Sequence, residues 1–242
     1  MRHALRLATA TLALGLAACS PQKAAGAPDA VDRMARGEVE AIVKDYLVSH
    51  PEVIVEALQT LNAREEQATF TKLISEKDDP SIGDKNAPIT IIEFFDYNCG
   101  YCKAANHWVF DKLDSSRSDD VRVVFKEYPV LAESSHFAAQ AALAAHKQGK
   151  YREMHIALMT GRDFSPEAVD KLAKSVGLDL NKFHADMKSQ DVANHIARVL
   201  QEGADAQVHG TPGFFINGKS LSGFDEAQLD KLLKDARAAV KS

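Results

Sequence analysis

The stretch Ile89-Thr90-Ile91-Ile92-Glu93-Phe94-Phe95-Asp96-Tyr97-Asn98-Cys99-Gly100-Tyr101-Cys102-Lys103 decides the fold. Ile89 to Phe95 is a run of β-branched and aromatic residues broken only by Glu93, the composition of a buried strand. Cys99 and Cys102 follow three apart, and Ala104, Ala105, His107, Trp108, Val109 and Phe110 open a helical pattern that predicts a helix from Cys99 to about Leu113. A spacing of three on the first helical turn puts both sulfurs on one face, close enough to close a disulfide. The helix N-terminus favours a thiolate on the first of them. The pattern holds the parts of a thiol–disulfide exchange site at Cys99 and Cys102.

Toward the C-terminus, the polar loop Asp114 to Asp120 leads to a second strand, Val121 to Tyr128, stopped by Pro129. A helical block then runs from Ser134 to about Glu202. Ser134 and Ser135 are expected to cap its first helix, which ends at Gly149, and Ser165-Pro166-Glu167 opens a later one that stops at Gly177. Beyond the block, Phe214 to Ile216 reads as a strand, Asn217-Gly218 as a tight hairpin turn and Lys219 to Ser222 as the returning strand. Asp225 is placed to cap a closing helix with Leu229, Leu232, Leu233 and Ala236 on one face. Strand, helix, strand, helical insert, hairpin and helix make an α/β domain over residues 82–242 with a helical domain inserted at about 130–203.

Toward the N-terminus, Lys77 to Pro88 reads as a linker rich in turn residues. Residues 38–76 form a helical arm. Val39, Ile42, Val43, Tyr46 and Leu47 mark one helix, and Pro51-Glu52 starts a second that carries Val53, Ile54, Ala57, Leu58 and Leu61 on to Phe70, Leu73 and Ile74. Such a stripe has to be buried, either on its own domain or against another copy of the chain. Residues 19–37, rich in Ala, Pro and Gly, read as a flexible tether. Residues 1–18 read as a targeting signal, with Arg2 and Arg6 ahead of an apolar run from Leu7 to Leu16 too short to span a bilayer.

The 242 residues suffice for one ordinary domain with added segments. A formal charge of -5 gives no basic footprint for nucleic acid. There are three cysteines, an odd number for an exported chain. If Cys19 is modified, Cys99 and Cys102 remain as a lone pair. The loop they close is too small for a stabilising staple, which favours a catalytic pair.

Two resemblances add to this reading. Leu16-Ala17-Ala18-Cys19 resembles a bacterial lipobox, which implies cleavage before Cys19 and lipidation of its sulfur, with Ser20 not marking inner-membrane retention. The alternative is an ordinary cleaved signal with an incidental cysteine. Cys99-Gly100-Tyr101-Cys102 after an aromatic strand, with Thr211-Pro212 ahead of a Phe-Phe-Ile-Asn-Gly hairpin, resembles the thioredoxin-fold Dsb proteins of the bacterial periplasm. The N-terminal arm is similar to that of the DsbA-like, ScsC-type branch, where arms can build oligomers.

What the resemblance implies goes position by position. Cys99 matches the nucleophile and Cys102 the resolving cysteine. Pro212 matches a cis-proline facing the disulfide, with Thr211 before it, and both belong to the substrate surface. Glu93 matches a buried acid beneath the site, and Lys126 falls where a lysine can neighbour that acid. Gly100 and Tyr101 between the cysteines would also meet substrate. The expected activity is protein disulfide oxidation or isomerisation, with no cofactor. The expected partners are cysteine-containing envelope proteins and a membrane redox protein that recycles the site, with no nucleic acid. The expected location is the periplasm-facing cell envelope, lipid-anchored to the outer membrane, as a possible homo-oligomer through residues 38–76. The competing reading is an envelope lipoprotein that binds copper or another thiophilic metal through the same two thiolates. Cys₂ alone falls short of a closed tetrahedral site, so no dedicated metal ligand set is expected.

Overall fold

The computed structural model describes residues 29–75, 78–115 and 118–241. The signal segment 1–18 and the lipidation candidate Cys19 lie outside the described residues, as does the tether up to residue 28. The rest of the expected tether is helical. Helix α1 runs Asp29–Ser49, because Ala30, Met34, Ala35 and Arg36 are helix formers and nothing from Asp29 to Glu38 breaks the pattern except Gly37. Pro51 separates it from α2, Glu52–Ile74.

The chain divides into two compact units after Val55. In the first, α1 leaves Val39, Ile42, Val43, Tyr46 and Val48 exposed, and the Tyr46 ring stacks on His50. The second, Glu56–Ser242, contains a mixed five-stranded sheet. Its strands are β1 (Ser81–Gly83), β2 (Ile89–Phe95), β3 (Val121–Glu127), β4 (Gly213–Ile216) and β5 (Lys219–Ser222), in the order β1-β3-β2-β4-β5. β2 and β3 are parallel, and every other neighbouring pair is antiparallel. β1 lies inside the segment expected to be a linker. Three residues are too short for an alternation signal, and Gly83, at φ +103°, sits where a Cβ would meet the Val121 carbonyl at 2.4 Å.

Helix α3, Gly100–Leu113, connects β2 to β3, with a 3-10 turn at Ser118–Asp120 before β3. The insert comprises α4 (Glu133–His146), α5 (Tyr151–Thr160), α6 (Pro166–Ser175), α7 (Leu180–Met187) and α8 (Gln190–Asp205). Ser165 and Asp179 cap α6 and α7 through their side chains, and Asp225 caps α9, Glu226–Val240, as its sequence suggested. Ser134 and Ser135 do not cap α4. That helix begins at Glu133 behind Ala132, and the Ser135 hydroxyl instead donates to Asp96 Oδ1 at 2.7 Å. The turn residues Asn217 and Gly218 both have positive φ, at 44° and 99°.

The central strands β2, β3 and β4 are buried on both faces. On one, Ile89, Ile91, Phe95, Val121, Val123, Phe125, Phe214 and Ile216 share a core with Trp108 and Val109 of α3 and Leu229 and Leu233 of α9. On the other, Ile92, Phe94, Val124 and Phe215 pack with Val199 of α8 and with Phe70 and Leu73. The last turns of α2 therefore belong to the folded domain, although the sequence placed them on an appended arm. Gly203 lets α8 lie close to the sheet: a Cβ there would fall 2.3 Å from the Tyr128 ring.

Candidate active site

Cys99 is the N-cap of α3, with extended backbone at φ -79° and ψ 118°, and its Sγ accepts the Cys102 N–H at 3.3 Å. The unpaired N–H groups at a helix start give that sulfur a positive field. Its thiol donates to the Thr211 carbonyl at 3.2 Å, which draws together residues 112 positions apart. The Thr211–Pro212 peptide is cis, and the Pro212 carbonyl accepts the Gly223 N–H at 2.8 Å. Thr211 Oγ1 is buried without a hydrogen-bond partner. Gly100 is exposed and a Cβ there would meet nothing within 4 Å; Tyr101 beside it is 71% exposed.

The two thiols are both free and chemically unequal. A hydrogen bond from the Cys102 thiol, opposed by burial and helped by the backbone N–H groups of Cys102 and Tyr101, holds Cys99 down at about 5. Burial, the bond to Cys99 and the charge of Glu93 push the fully buried Cys102 far up. Glu93 is 1% exposed, and its Oε1 has no hydrogen-bond partner. Burial first, then the Cys99 charge, raises its carboxyl to about 8.

Lys126 is not the neighbour of Glu93. The β2–β3 register pairs Glu93 with Phe125 and Phe94 with Lys126, so the two side chains leave opposite faces of the sheet. Lys126 is fully buried and binds Asp79 and Glu202 Oε2, the latter at 2.7 Å. Arg198 reaches Asp79 at 2.9 Å and Glu202 Oε1 at 2.7 Å, and His195 Nε2 lies 3.2 Å from Asp79. This cluster ties Asp79 and the chain entering β1 to α8.

Sequence reasoning missed Asp96. Its Oδ1 accepts the Asn98 N–H at 2.7 Å and the Ser135 hydroxyl; its Oδ2 accepts the N–H groups of Val130 and Leu131 at 2.9 and 3.0 Å. The loop ahead of Cys99 is thereby tied to the start of the insert. It also missed Glu127, buried beside Tyr97, Tyr151 and His155. The nearest signal was an acid at the end of a strand, with nothing in the sequence to show which face it takes. Among the described residues, no three His, Cys, Asp or Glu side chains group to hold a metal. No described helix is long and apolar enough to cross a membrane.

Comparison with known proteins agrees with this geometry. The Thioredoxin family model matches residues 75–235, and the model of the copper resistance protein ScsC N-terminal domain matches residues 36–68. A thioredoxin-like oxidoreductase from Silicibacter pomeroyi is 37% identical, with a TM-score of 0.63 over 68% of this chain and 95% of that one. A linker-deletion variant of ScsC from Proteus mirabilis is 28% identical, with a TM-score of 0.65 over 84% of this chain and 95% of that one. Among curated relatives, the Na(+)/H(+) antiporter NhaA 3 of Salinispora tropica is 33% identical over 58% of this chain. The chain spans only 22% to 29% of the length of that antiporter and of others it matches. With its Cys-x-x-Cys pair at the start of α3 and its Thr211-Pro212 turn against it, the chain belongs to the thioredoxin family, as a Dsb-type, ScsC-like member.

Proposed function

We propose that the protein catalyses thiol–disulfide exchange on protein cysteines in the bacterial cell envelope, as an oxidase or isomerase. The observation that carries this reading is the inequality of the two thiols: Cys99 is held at about 5 on a helix N-terminus, while Cys102 is buried and pushed up. A thiolate at Cys99 attacks a substrate disulfide; that S–S bond breaks, a mixed disulfide forms, and the departing sulfur takes a proton. Cys102 then gives its proton to the Glu93 carboxylate and attacks Cys99 Sγ. The mixed disulfide breaks, the substrate leaves as a second thiol, and the enzyme keeps the disulfide. Run in reverse, the same steps oxidise a substrate dithiol. Thr211, Pro212, Gly100 and Tyr101 form the surface on which an extended substrate lies, pairing with the backbone ahead of Pro212 as an added strand would.

Membership of the Dsb-type, ScsC-like branch supports a cell-envelope location, and the lipobox-like segment at Cys19 supports a lipid anchor. The exposed apolar residues of α1, with Leu58 and Leu61 of α2, support assembly with further copies of the chain. Copper(I) binding, suggested by the name of the matched N-terminal model, would need both sulfurs as thiolates, and the raised Cys102 weighs against it.

The test is insulin reduction and refolding of scrambled ribonuclease by the full chain. Cys99→Ser is expected to abolish both, and Cys102→Ser to accumulate mixed disulfides. Full activity in Cys99→Ser overturns the reading.

A further inference from the structure

A ring of buried side chains lies beneath the redox loop, and the exchange steps leave it unused. Glu127, the last residue of β3, pairs with Phe95 and so shares the sheet face of Glu93. Its Oε1 lies 3.0 Å from the Tyr97 hydroxyl and 2.9 Å from the Tyr151 hydroxyl. His155 Nδ1 closes the ring, 3.0 Å from the Tyr97 oxygen and 3.4 Å from the Tyr151 oxygen. His155 Nε2 faces Asn106 Oδ1 at 3.1 Å, and all five residues are buried.

Counting hydrogens assigns a protonation state. An amide oxygen opposite Nε2 puts the imidazole hydrogen there and leaves Nδ1 an acceptor. With Glu127 as a carboxylate, the ring contains only the two hydroxyl hydrogens. Its three contacts of 3.0 Å or less then cannot each hold one, and a lone pair faces a lone pair in a site without water's screening. One more hydrogen, on Glu127 Oε1, resolves this. Glu127 donates to Tyr97, Tyr97 to His155 and Tyr151 to Glu127. The contact left without a hydrogen is the longest, at 3.4 Å.

The surroundings favour the acid form. The titratable groups around the ring are Glu93 on β2, Asp96 next to Tyr97, and His146 on α4, whose ring centroid is 5.8 Å from that of Tyr151. No lysine or arginine pairs with Glu127 among the described ion pairs. Burial, with the charges of Asp96 and Glu93 adding to it, pushes the Glu127 carboxyl well up against the opposing tyrosine bonds, and burial holds His155 at about 3.

We infer that Glu127 is kept as a neutral carboxylic acid donating to Tyr97, and that this bond makes it a positioning residue for Cys99, two residues beyond Tyr97. The positioning role rests on the exchange reading of Cys99. Neutrality matters to that role, because a charge on Glu127 would add to that of Asp96 and oppose the Cys99 thiolate.

The protonation state is tested by infrared spectroscopy of the full-length reduced protein at neutral pH. A protonated-carboxyl band is expected that Glu127→Gln removes and Glu93→Gln leaves. No band lost in Glu127→Gln means an ionised Glu127 and overturns the inference. The positioning role is tested by the pH profile of Cys99 alkylation. Glu127→Ala is expected to slow exchange by about tenfold, the worth of one buried hydrogen bond, and to move the midpoint upward from about 5. Glu127→Gln, whose amide N–H replaces the lost O–H, recovers most of that loss. A native profile in Glu127→Ala overturns the positioning role. If that variant does not fold, Tyr97→Phe breaks the same bond from its other end and takes its place in the comparison. A native protein without exchange activity overturns the exchange reading and the positioning role with it, while the infrared bands still report Glu127.

Discussion

Glu93 and Lys126 sit one residue apart in register on neighbouring strands and point to opposite faces of the sheet. The acid lies on the face shared with α3 and the cysteines. The lysine lies on the face closed by α2 and α8, where it neutralises Asp79 and Glu202.

Lys126→Met separates the two sites. Removing one partner from a buried ionic cluster leaves uncompensated charge and costs roughly 3–5 kcal/mol. Urea unfolding should show that loss. The alkylation midpoint of Cys99 should stay near 5. A midpoint displaced as far as in Glu93→Gln would mean that the lysine acts on the thiols after all.

Glu93 should leave a pH signature in the reduced protein. Its folded carboxyl titrates at about 8, against 4.5 in the absence of the fold. The folded state therefore binds more protons between those values, and stability falls as pH rises through that window. The linked change is roughly 5 kcal/mol. Glu93→Gln should flatten the slope in equilibrium unfolding; an unchanged slope would assign it to another group.

Asp79 should act in the opposite sense. Burial works against its ionisation, but the His195, Lys126 and Arg198 contacts win and hold it at about 2. Its contribution is complete above the ordinary value of 3.8 and is lost as pH falls through 2. Linkage puts it at about 2 kcal/mol. Acid unfolding of Asp79→Asn should lack this limb and start from a lower stability at neutral pH.

The two halves of the N-terminal region should respond differently to substitution. Phe70 is 5% exposed in the sheet's second core, so Phe70→Ala should cost about 3–5 kcal/mol. Ile42 is 68% exposed, so Ile42→Glu should leave unfolding alone and reduce the mass seen by light scattering. A full-length native protein that is already monomeric would refute assembly through this region.

The strands other than β1, the helix after Cys99 and the hairpin turn were legible because each has a local cause: a β-branched run, a cap, an Asn-Gly pair. The face taken by Lys126 was not. β2 and β3 are buried on both sides, so neither alternates apolar with polar, and alternation is the only local trace of register. Asp96 was illegible for a related reason. Its four donors come from Asn98, the 130–131 backbone and Ser135, which only the finished fold assembles. Ser135 was read as a helix cap because the hydroxyl's local use is the only one a sequence displays.

The 112 positions between Cys99 and Thr211 have a consequence for a chain made from its N-terminus. Cys99 and its helix are delivered first. The carbonyl that receives its thiol and the turn that flanks it arrive only after the whole insert. Until then Cys99 lacks the carbonyl partner that the finished fold gives it. The geometry of the site thus depends on the finished chain: one that stops before Thr211 carries the Cys-x-x-Cys motif without the turn that faces it.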